Sequence, residues 1–199
     1  MLNTPPDCHL YKDTVVNIIL WRHAEAEYGP PDLERALTEN GRRQASTIAA
    51  WLRRHLPQDA QVWASEAARS RQTADYLTQD YAVLAALNPD INARSLPRLF
   101  ERLSGNDTVV LVGHQPWLGE LSRFLLNGHW QGEAYWSYKK GGFWWLQVKH
   151  DGNGYHAKLK AALTPAILLS DCFHDSRFFN RHNLSANRPS ENVSDGLFL

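Results

Sequence analysis

The first long apolar run of the chain, residues 15–21, has the pattern of a buried strand. Six of the seven residues in VVNIILW are apolar and four are β-branched, which is typical of a strand covered on both faces in a parallel sheet. Arg22 and His23 follow at the carboxyl end of this run, the end at which open α/β folds bind ligands. A guanidinium beside an imidazole there indicates an anion site, although the pair alone is also compatible with the start of a loop.

Helical and strand patterns alternate over the next part of the chain. From Thr38, a predicted N-cap, apolar residues recur at helical spacing until Pro57 ends the pattern. A short strand is predicted at 60–64 and a second helix at 65–77. This alternation predicts a parallel sheet with right-handed crossovers, whereas residues 81–87 are compatible with either a short strand or an apolar loop.

The second half of the chain adds one more buried strand and a hairpin. The run 108–112, TVVLV, is the most strand-like of the sequence and lies between helical patterns at 96–103 and 118–126. Residues 143–149 and 155–163 flank the turn sequence DGNG and predict an antiparallel hairpin at one side of the sheet. The aromatic residues between 130 and 138 either pack in the core or line a substrate mouth.

Composition narrows the class of protein. A chain of 199 residues suits one sizeable domain, for which we predict residues 15–165, with an N-terminal extension at 1–14 and a weakly ordered tail at 166–199. The 21 basic and 21 acidic residues give no global basic field of the kind that marks nucleic-acid binders. No apolar run has the length of a membrane span, and no signal peptide is evident.

Cysteine and histidine usage points to a protein without a metal site. Cys8 and Cys172 lie in the polar end regions, which favours a reducing compartment over a disulfide framework. The remaining histidines have no zinc-ligand spacing. We therefore expect a cytoplasmic protein with no metal, no cofactor and no nucleic-acid or membrane partner; the oligomeric state is left open.

Cationic or potentially cationic residues follow three predicted strands. Arg22 and His23 follow the first, Arg69 the second, and His114 the strand at 108–112. Arginine grips two oxygens of an anion at once, and a neutral imidazole nitrogen can attack phosphorus to form a covalent intermediate. Neighbouring arginines disfavour the imidazolium and so keep a histidine nucleophilic near neutral pH. These residue types indicate phosphoryl transfer.

The motifs around these residues resemble those of the histidine phosphatase superfamily, also called phosphoglycerate mutase-like, and within it the SixA-type phosphohistidine phosphatases. The resemblance covers roughly residues 15–165 and rests on four motifs: RHAEAE (22–27), LTENGRRQA (37–45), SEAARSRQTA (65–74) and LVGHQP (111–116). It implies a three-layer α/β sandwich with a mostly parallel central sheet flanked by helices and a C-terminal antiparallel hairpin. It also implies that His23 becomes phosphorylated, while Arg22, Arg69 and His114 hold the phosphoryl oxygens and water hydrolyses the phosphoenzyme.

The general acid has no clear match in this sequence. The larger branches of the family carry a Glu or Asp donor in an insert before the last motif, and the candidates here are Glu25 and Asp90. A protonated imidazole is a better leaving group than an alkoxide, so a weak acid favours phosphohistidine or an activated phosphoester. We expect a phosphatase acting on a phosphorylated protein histidine or a small phosphorylated metabolite. The alternatives are a mutase or sugar-phosphate phosphatase, and a catalytically silent phosphate-binding module.

Overall fold

A six-stranded mixed sheet organises the computed structural model, which describes residues 14–132, 136–151 and 154–169. Three 3-10 turns, at Asp32–Glu34, Ala85–Leu87 and Ala93–Ser95, join the longer elements. Those elements are β1 (Thr14–Arg22), α1 (Glu39–His55), β2 (Gln61–Ala64), α2 (Ala68–Asp75), β3 (Ala82–Val83), α3 (Pro97–Phe100), β4 (Thr108–Gly113), α4 (Trp117–Asn127), β5 (Phe143–His150) and β6 (Tyr155–Leu163).

The sheet is mostly parallel, as the sequence predicts. Its strand order is β3-β2-β4-β1-β5-β6. The first four strands are parallel, whereas β5 is antiparallel to β1 and pairs with β6 as an antiparallel hairpin. Helices flank the sheet, so the predicted fold class is confirmed. Because β1 lies between β4 and β5, its carboxyl end is at the centre of the sheet edge.

The two central parallel strands form the core. All six residues of β4 are buried, and residues 18–21 of β1 have no exposed surface. Burial on both faces explains why these strands have continuous apolar runs instead of alternating ones. The register pairs Trp21 with Val112 and Arg22 with Gly113, so both strands end at the same level.

Helix α1 follows from local sequence signals. Thr38 is its N-cap, and the Thr38 hydroxyl accepts a hydrogen bond from the Gly41 N–H, one of the donors that the first helical turn leaves without a partner. The residues at helical spacing on its inner face, Gly41, Ala45, Ile48, Ala49 and Leu52, are buried. The helix ends at His55, two residues before Pro57.

Two predicted helices are shorter in the structure. The pattern at 65–77 forms only α2, because the chain bends at 66–67 after it leaves the sheet and Ala67 is not helical, with φ −61° and ψ 133°. The pattern at 96–103 yields a single turn, α3, before the chain turns again at 101–102. Leu96, Phe100 and Leu103 are nevertheless buried. The apolar spacing thus predicts correctly which residues are buried, but it predicts a longer helix than the structure has.

The segment 81–87 contains both of the predicted alternatives. Ala82 and Val83 form the short edge strand β3, and the next residues form a 3-10 turn. In the aromatic region, Tyr138 is buried and its hydroxyl lies 2.6 Å from the Ser122 hydroxyl. The Tyr138 and Trp136 rings both pack against Trp144, which agrees with packing and not with a substrate mouth.

Most of the two predicted terminal segments lies outside the described residues. The extension at 1–14 and the tail at 166–199 therefore stay predictions, as does the division into domains, and Cys8 and Cys172 fall in the same undescribed ends. Among the helices that the structure describes, none has the length and apolar character needed to cross a bilayer.

The close approach of α1 to the loop after β1 makes a stability prediction. A Cβ at Gly41 would overlap the Glu25 carbonyl oxygen, whereas a Cβ at Gly105 would meet open space. Gly41→Ala should therefore lower the free energy of unfolding by about 1–3 kcal/mol, as overpacking does, while Gly105→Ala should leave it nearly unchanged. Urea denaturation of the two variants checks this, and equal stabilities would contradict it.

Candidate active site

A cavity of about 400 Å³ opens at the carboxyl ends of β1, β2 and β4. Its volume falls within the range of about 300–1,000 Å³ that is usual for small-molecule sites. All four residues predicted to handle the phosphoryl group line it. The lining residues are Arg22, His23, Ala26, Tyr28, Asp32, Arg35, Arg69, Pro89, Asp90, His114, Gln115 and Lys140.

His23 is held in one tautomer. It is the first residue after β1 and its side chain is almost fully buried. Its Nδ1 lies 2.7 Å from the Ala24 carbonyl oxygen. A carbonyl oxygen only accepts hydrogen bonds, so Nδ1 carries the proton and donates. The lone pair is therefore on Nε2, the nitrogen available to attack an electrophile.

The surroundings of His23 keep it neutral. Burial is the largest cause and lowers the pKa of His23 from 6.5 to about 3, with further lowering by Arg69 and Arg22. The hydrogen bond to Ala24 opposes this shift. At neutral pH the imidazole is thus unprotonated at Nε2 and nucleophilic.

His114 faces His23 from the end of β4. The two ring centroids are 4.9 Å apart. The Nε2 of His114 lies 2.7 Å from the Ser65 hydroxyl and 3.2 Å from the Ser70 hydroxyl, and both serines are fully buried. Its Nδ1 is buried and has no hydrogen-bond partner among the described residues. A hydroxyl that donates to Nε2 leaves the His114 proton on Nδ1, as a donor for an incoming anion.

His114 is also neutral. Burial is again the main cause and lowers its pKa from 6.5 to about 2; the nearby His23 and Arg69 lower it further, and Asp32 opposes the shift. Ser65 and Ser70 were not among the predicted site residues. They belong to the motif at 65–74, but a serine that contacts a histidine more than 40 residues away has no local sequence signal.

Arg22 and Arg69 bring two guanidinium groups to the cavity. Arg22 is the last residue of β1, and its Nη1 donates to the Tyr138 carbonyl oxygen at 2.5 Å. Arg69 lies in the first turn of α2 and is 2% exposed. Its Nη1 donates to the Asp32 carbonyl oxygen at 2.5 Å and its Nη2 to Asp32 Oδ2 at 2.8 Å.

Asp32 and Arg35 are further cavity residues that sequence reasoning missed. The Nε and Nη2 of Arg35 donate to Asp32 Oδ1 at 2.9 and 2.6 Å, so one carboxylate joins Arg35 to Arg69. Burial alone would raise the pKa of Asp32, but the hydrogen bonds from Arg69 and Arg35 hold it below its usual value. The composition of residues 24–37 predicts only a polar loop, because Asp32 and Arg69 meet through the fold.

The two candidate general acids lie in different places. Glu25 does not line the cavity; its Oε1 accepts a hydrogen bond from the Thr38 hydroxyl at 2.9 Å, and its N–H donates to Gln44 Oε1 at 3.0 Å. Glu25 therefore joins the loop to the start of α1. Asp90 does line the cavity and is exposed to solvent. Within residues 14–132, 136–151 and 154–169, no group of three or more His, Cys, Asp and Glu is placed to hold a metal ion.

Comparison with known proteins agrees with this geometry. A sequence model of the histidine phosphatase superfamily (branch 1) matches residues 18–99, which include Arg22, His23 and Arg69. No curated protein sequence matches the chain.

Solved structures of phosphatases share the fold. A protein from Nakamurella multipartitia, provisionally assigned as the phosphohistidine phosphatase SixA, is 27% identical with a TM-score of 0.61, over 76% of this chain and 96% of that one. The protein histidine phosphatase SixA with tungstate is 23% identical with a TM-score of 0.61, over 76% and 99% of the two chains. A mycobacterial glucosyl-3-phosphoglycerate phosphatase with VO3 is 20% identical with a TM-score of 0.57, over 73% and 97%.

The last two likenesses, below 25% identity, show the fold alone. The superfamily match and the 27% identical structure from Nakamurella multipartitia confirm the resemblance predicted from the motifs. Together they support a phosphatase.

The two neutral histidines predict a dependence of stability on pH. The unfolded chain protonates a histidine near pH 6.5, whereas the folded protein holds His23 and His114 neutral down to about pH 3 and 2. Below pH 6.5 the unfolded state therefore binds more protons than the folded state. The free energy of unfolding is highest above that pH and falls on acidification. From pH 7 to pH 5 each histidine should remove roughly 2 kcal/mol of unfolding free energy.

Thermal denaturation between pH 5 and pH 7 measures this effect. His23→Asn and His114→Asn should each make the stability curve shallower, and the exposed His129→Asn is the matched control. Equal slopes in all three variants would contradict the neutral, buried state of the two cavity histidines.

Proposed function

We propose that the protein is a phosphatase that hydrolyses a phosphohistidine or a small phosphomonoester through a phosphorylated His23. The observation that carries the proposal is the state of His23: a buried, neutral imidazole whose Nδ1 is bound to Ala24 and whose Nε2 retains its lone pair. It shares one cavity with Arg22, Arg69 and His114. A silent phosphate-binding module would need the arginines but not a tautomer-controlled nucleophile.

The reaction has two displacements at phosphorus. In the first, Nε2 of His23 attacks, the bond from phosphorus to the leaving group breaks, and the leaving group takes a proton that Asp90 supplies or, for phosphohistidine, that its imidazole already carries. Nδ1 of His23 keeps its proton, and its hydrogen bond to the Ala24 carbonyl oxygen stabilises the charge that develops on the ring. In the second, water attacks phosphorus and gives a proton to the Asp90 carboxylate or to solvent, the bond to Nε2 breaks, and phosphate and neutral His23 are released.

Arg22, Arg69 and His114 stabilise the charge on the phosphoryl oxygens in both steps. Donors fixed in a partly water-excluded cavity act more strongly than donors in water and need no reorganisation during the reaction. The buried Nδ1 of His114 is such a donor, because the serine hydroxyls already bind the other ring nitrogen.

The weak supply of protons to the leaving group favours phosphohistidine over an ordinary phosphoester as the substrate. Asp32 is ionised and bound by two arginines, so it is a poor proton donor. Asp90 is the remaining carboxyl that lines the cavity, and we assign it as the candidate general acid for substrates that need one. An imidazole leaving group that carries its own proton needs little assistance. The cavity volume also admits a small phosphomonoester.

Removal of the His23 imidazole tests the proposed nucleophile. His23→Ala should abolish turnover of a chromogenic phosphoester and of phosphohistidine, whereas His129→Ala, at an exposed position, should retain full activity. Wild-type protein quenched in alkali after brief mixing with substrate should carry one phosphoryl group on His23 by mass spectrometry. Retained activity in His23→Ala would exclude the proposed intermediate.

Removal of the Arg69 guanidinium group tests the proposed stabilisation of the transition state. Arg69→Ala should lower kcat on the order of 10²-fold or more, as loss of a transition-state donor does, while Arg71→Ala on the same helix should have little effect because Arg71 is exposed and does not line the cavity. Steady-state kinetics measures both. A loss below threefold in Arg69→Ala would remove this residue from the mechanism.

A substrate panel separates the remaining alternatives. Phosphohistidine peptides, small phosphomonoesters and phosphosugars are compared by kcat/KM, with His23→Ala as the blank. Turnover of phosphosugars without phosphohistidine activity would favour a sugar-phosphate phosphatase.

A further inference from the structure

Asp32 binds the outer nitrogens of Arg69. Its carbonyl oxygen accepts from Nη1 at 2.5 Å, and its Oδ2 accepts from Nη2 at 2.8 Å. Two acceptors of one residue therefore hold the end of the guanidinium group. The Asp32 side chain is about half exposed. This contact therefore lies at the edge of the cavity and not in the core.

The inner nitrogen of Arg69 is left for another partner. The Arg69 side chain is 3% exposed, and its Nε is buried without a hydrogen-bond partner among the described residues. A buried N–H without a partner costs free energy, because it has lost its hydrogen bond to water and gained none in return. The buried Nδ1 of His114 in the same cavity also has no partner among the described residues, and two such donors indicate a position that a ligand completes.

Asp32 also offsets charge at the cavity. Its Oδ1 accepts from Nε and Nη2 of Arg35, so a single carboxylate lies between two guanidinium groups. Arg35 is anchored on its other side, where its Nη1 donates to the Glu27 carbonyl oxygen at 2.9 Å. Without the carboxylate, the two cations would repel each other, and Arg69 would lose the contact on its Nη2, keeping only the Asp32 main-chain carbonyl oxygen on its Nη1.

We propose that Asp32 is a positioning residue, which holds the outer nitrogens of Arg69 so that its Nε–H edge is presented to a phosphoryl oxygen. This inference rests on the proposed function, because it assigns Arg69 to the phosphoryl group. Asp32 itself touches no reacting atom. The effect that the proposal assigns to Asp32 passes through Arg69.

An alternative role for Asp32, as a group that blocks the phosphoryl position, predicts a different effect on anion binding. If Asp32 instead occupied the place of the phosphoryl group, an anion would have to displace it, and removing the carboxylate would strengthen anion binding. The buried, unpartnered Nε argues for positioning, because it leaves Arg69 a donor that requires no displacement.

A double-mutant cycle tests the proposal. The variants are Asp32→Ala, Asp32→Asn, Arg69→Ala and the double variant Asp32→Ala/Arg69→Ala, with Glu34→Ala as the control on the same 3-10 turn. Each is measured by kcat/KM on a chromogenic phosphoester, by calorimetric binding of tungstate as a phosphate analogue, and by thermal denaturation to verify folding.

We expect Asp32→Ala to lower kcat/KM by roughly 10- to 100-fold, the scale of a misplaced binding group, and to weaken tungstate binding. Asp32→Asn, which keeps an oxygen acceptor, should recover part of the loss, and Glu34→Ala should behave as wild type. In the Arg69→Ala background, Asp32→Ala should have no further effect, since residues that act through one contact are not additive.

Three results would overturn the assignment: unchanged kinetics in Asp32→Ala, tighter tungstate binding in that variant, or a loss of the same size with and without Arg69. The tungstate measurements do not require turnover. A wild-type protein that binds tungstate but hydrolyses no substrate would therefore refute the proposed phosphatase function and leave the role of Asp32 testable.

Discussion

The parallel pairing of β1 with β4 is the constraint on which the site depends. The register places Arg22 opposite Gly113, and the His23 N–H donates to the Gly113 carbonyl oxygen at 3.0 Å. Both histidines therefore leave the sheet at adjacent points of one edge. Gly113 has a second role, because a Cβ there would overlap the ring of Trp117, which packs beneath. The apolar strands thus determine the distance between His23 and His114, the proposed nucleophile and donor.

Burial sets the chemistry of the two histidines. Removing an imidazole from water disfavours its charged form, and the neighbouring arginines act in the same direction. The arginines keep their own charge, since a guanidinium is not deprotonated in proteins. The cavity therefore combines neutral nitrogen bases with fixed cations, a combination suited to a dianionic phosphoryl group.

Several side chains in the cavity are held by hydrogen bonds at one end. His23 is bound through Nδ1 to Ala24, and His114 through Nε2 to two serines. Arg69 is bound through its terminal nitrogens to Asp32. In each case a contact away from the phosphoryl position restricts the side chain in advance. Such preorganisation reduces the entropy and reorganisation that the reaction would otherwise require.

The sequence by itself determined five of the six strands, the positions of the main helices and the residue types at the strand ends, because apolar periodicity and N-cap signals are local. Arg22, His23, Arg69 and His114 could be singled out since each follows a predicted strand. Only the tertiary structure decided the rest. The contacts from Asp32 to Arg69 and from Ser65 to His114 span 37 and 49 residues, and no local pattern encodes them. The assignment of Nε2 of His23 as the nitrogen proposed to attack likewise follows from a hydrogen bond whose geometry depends on the folded backbone.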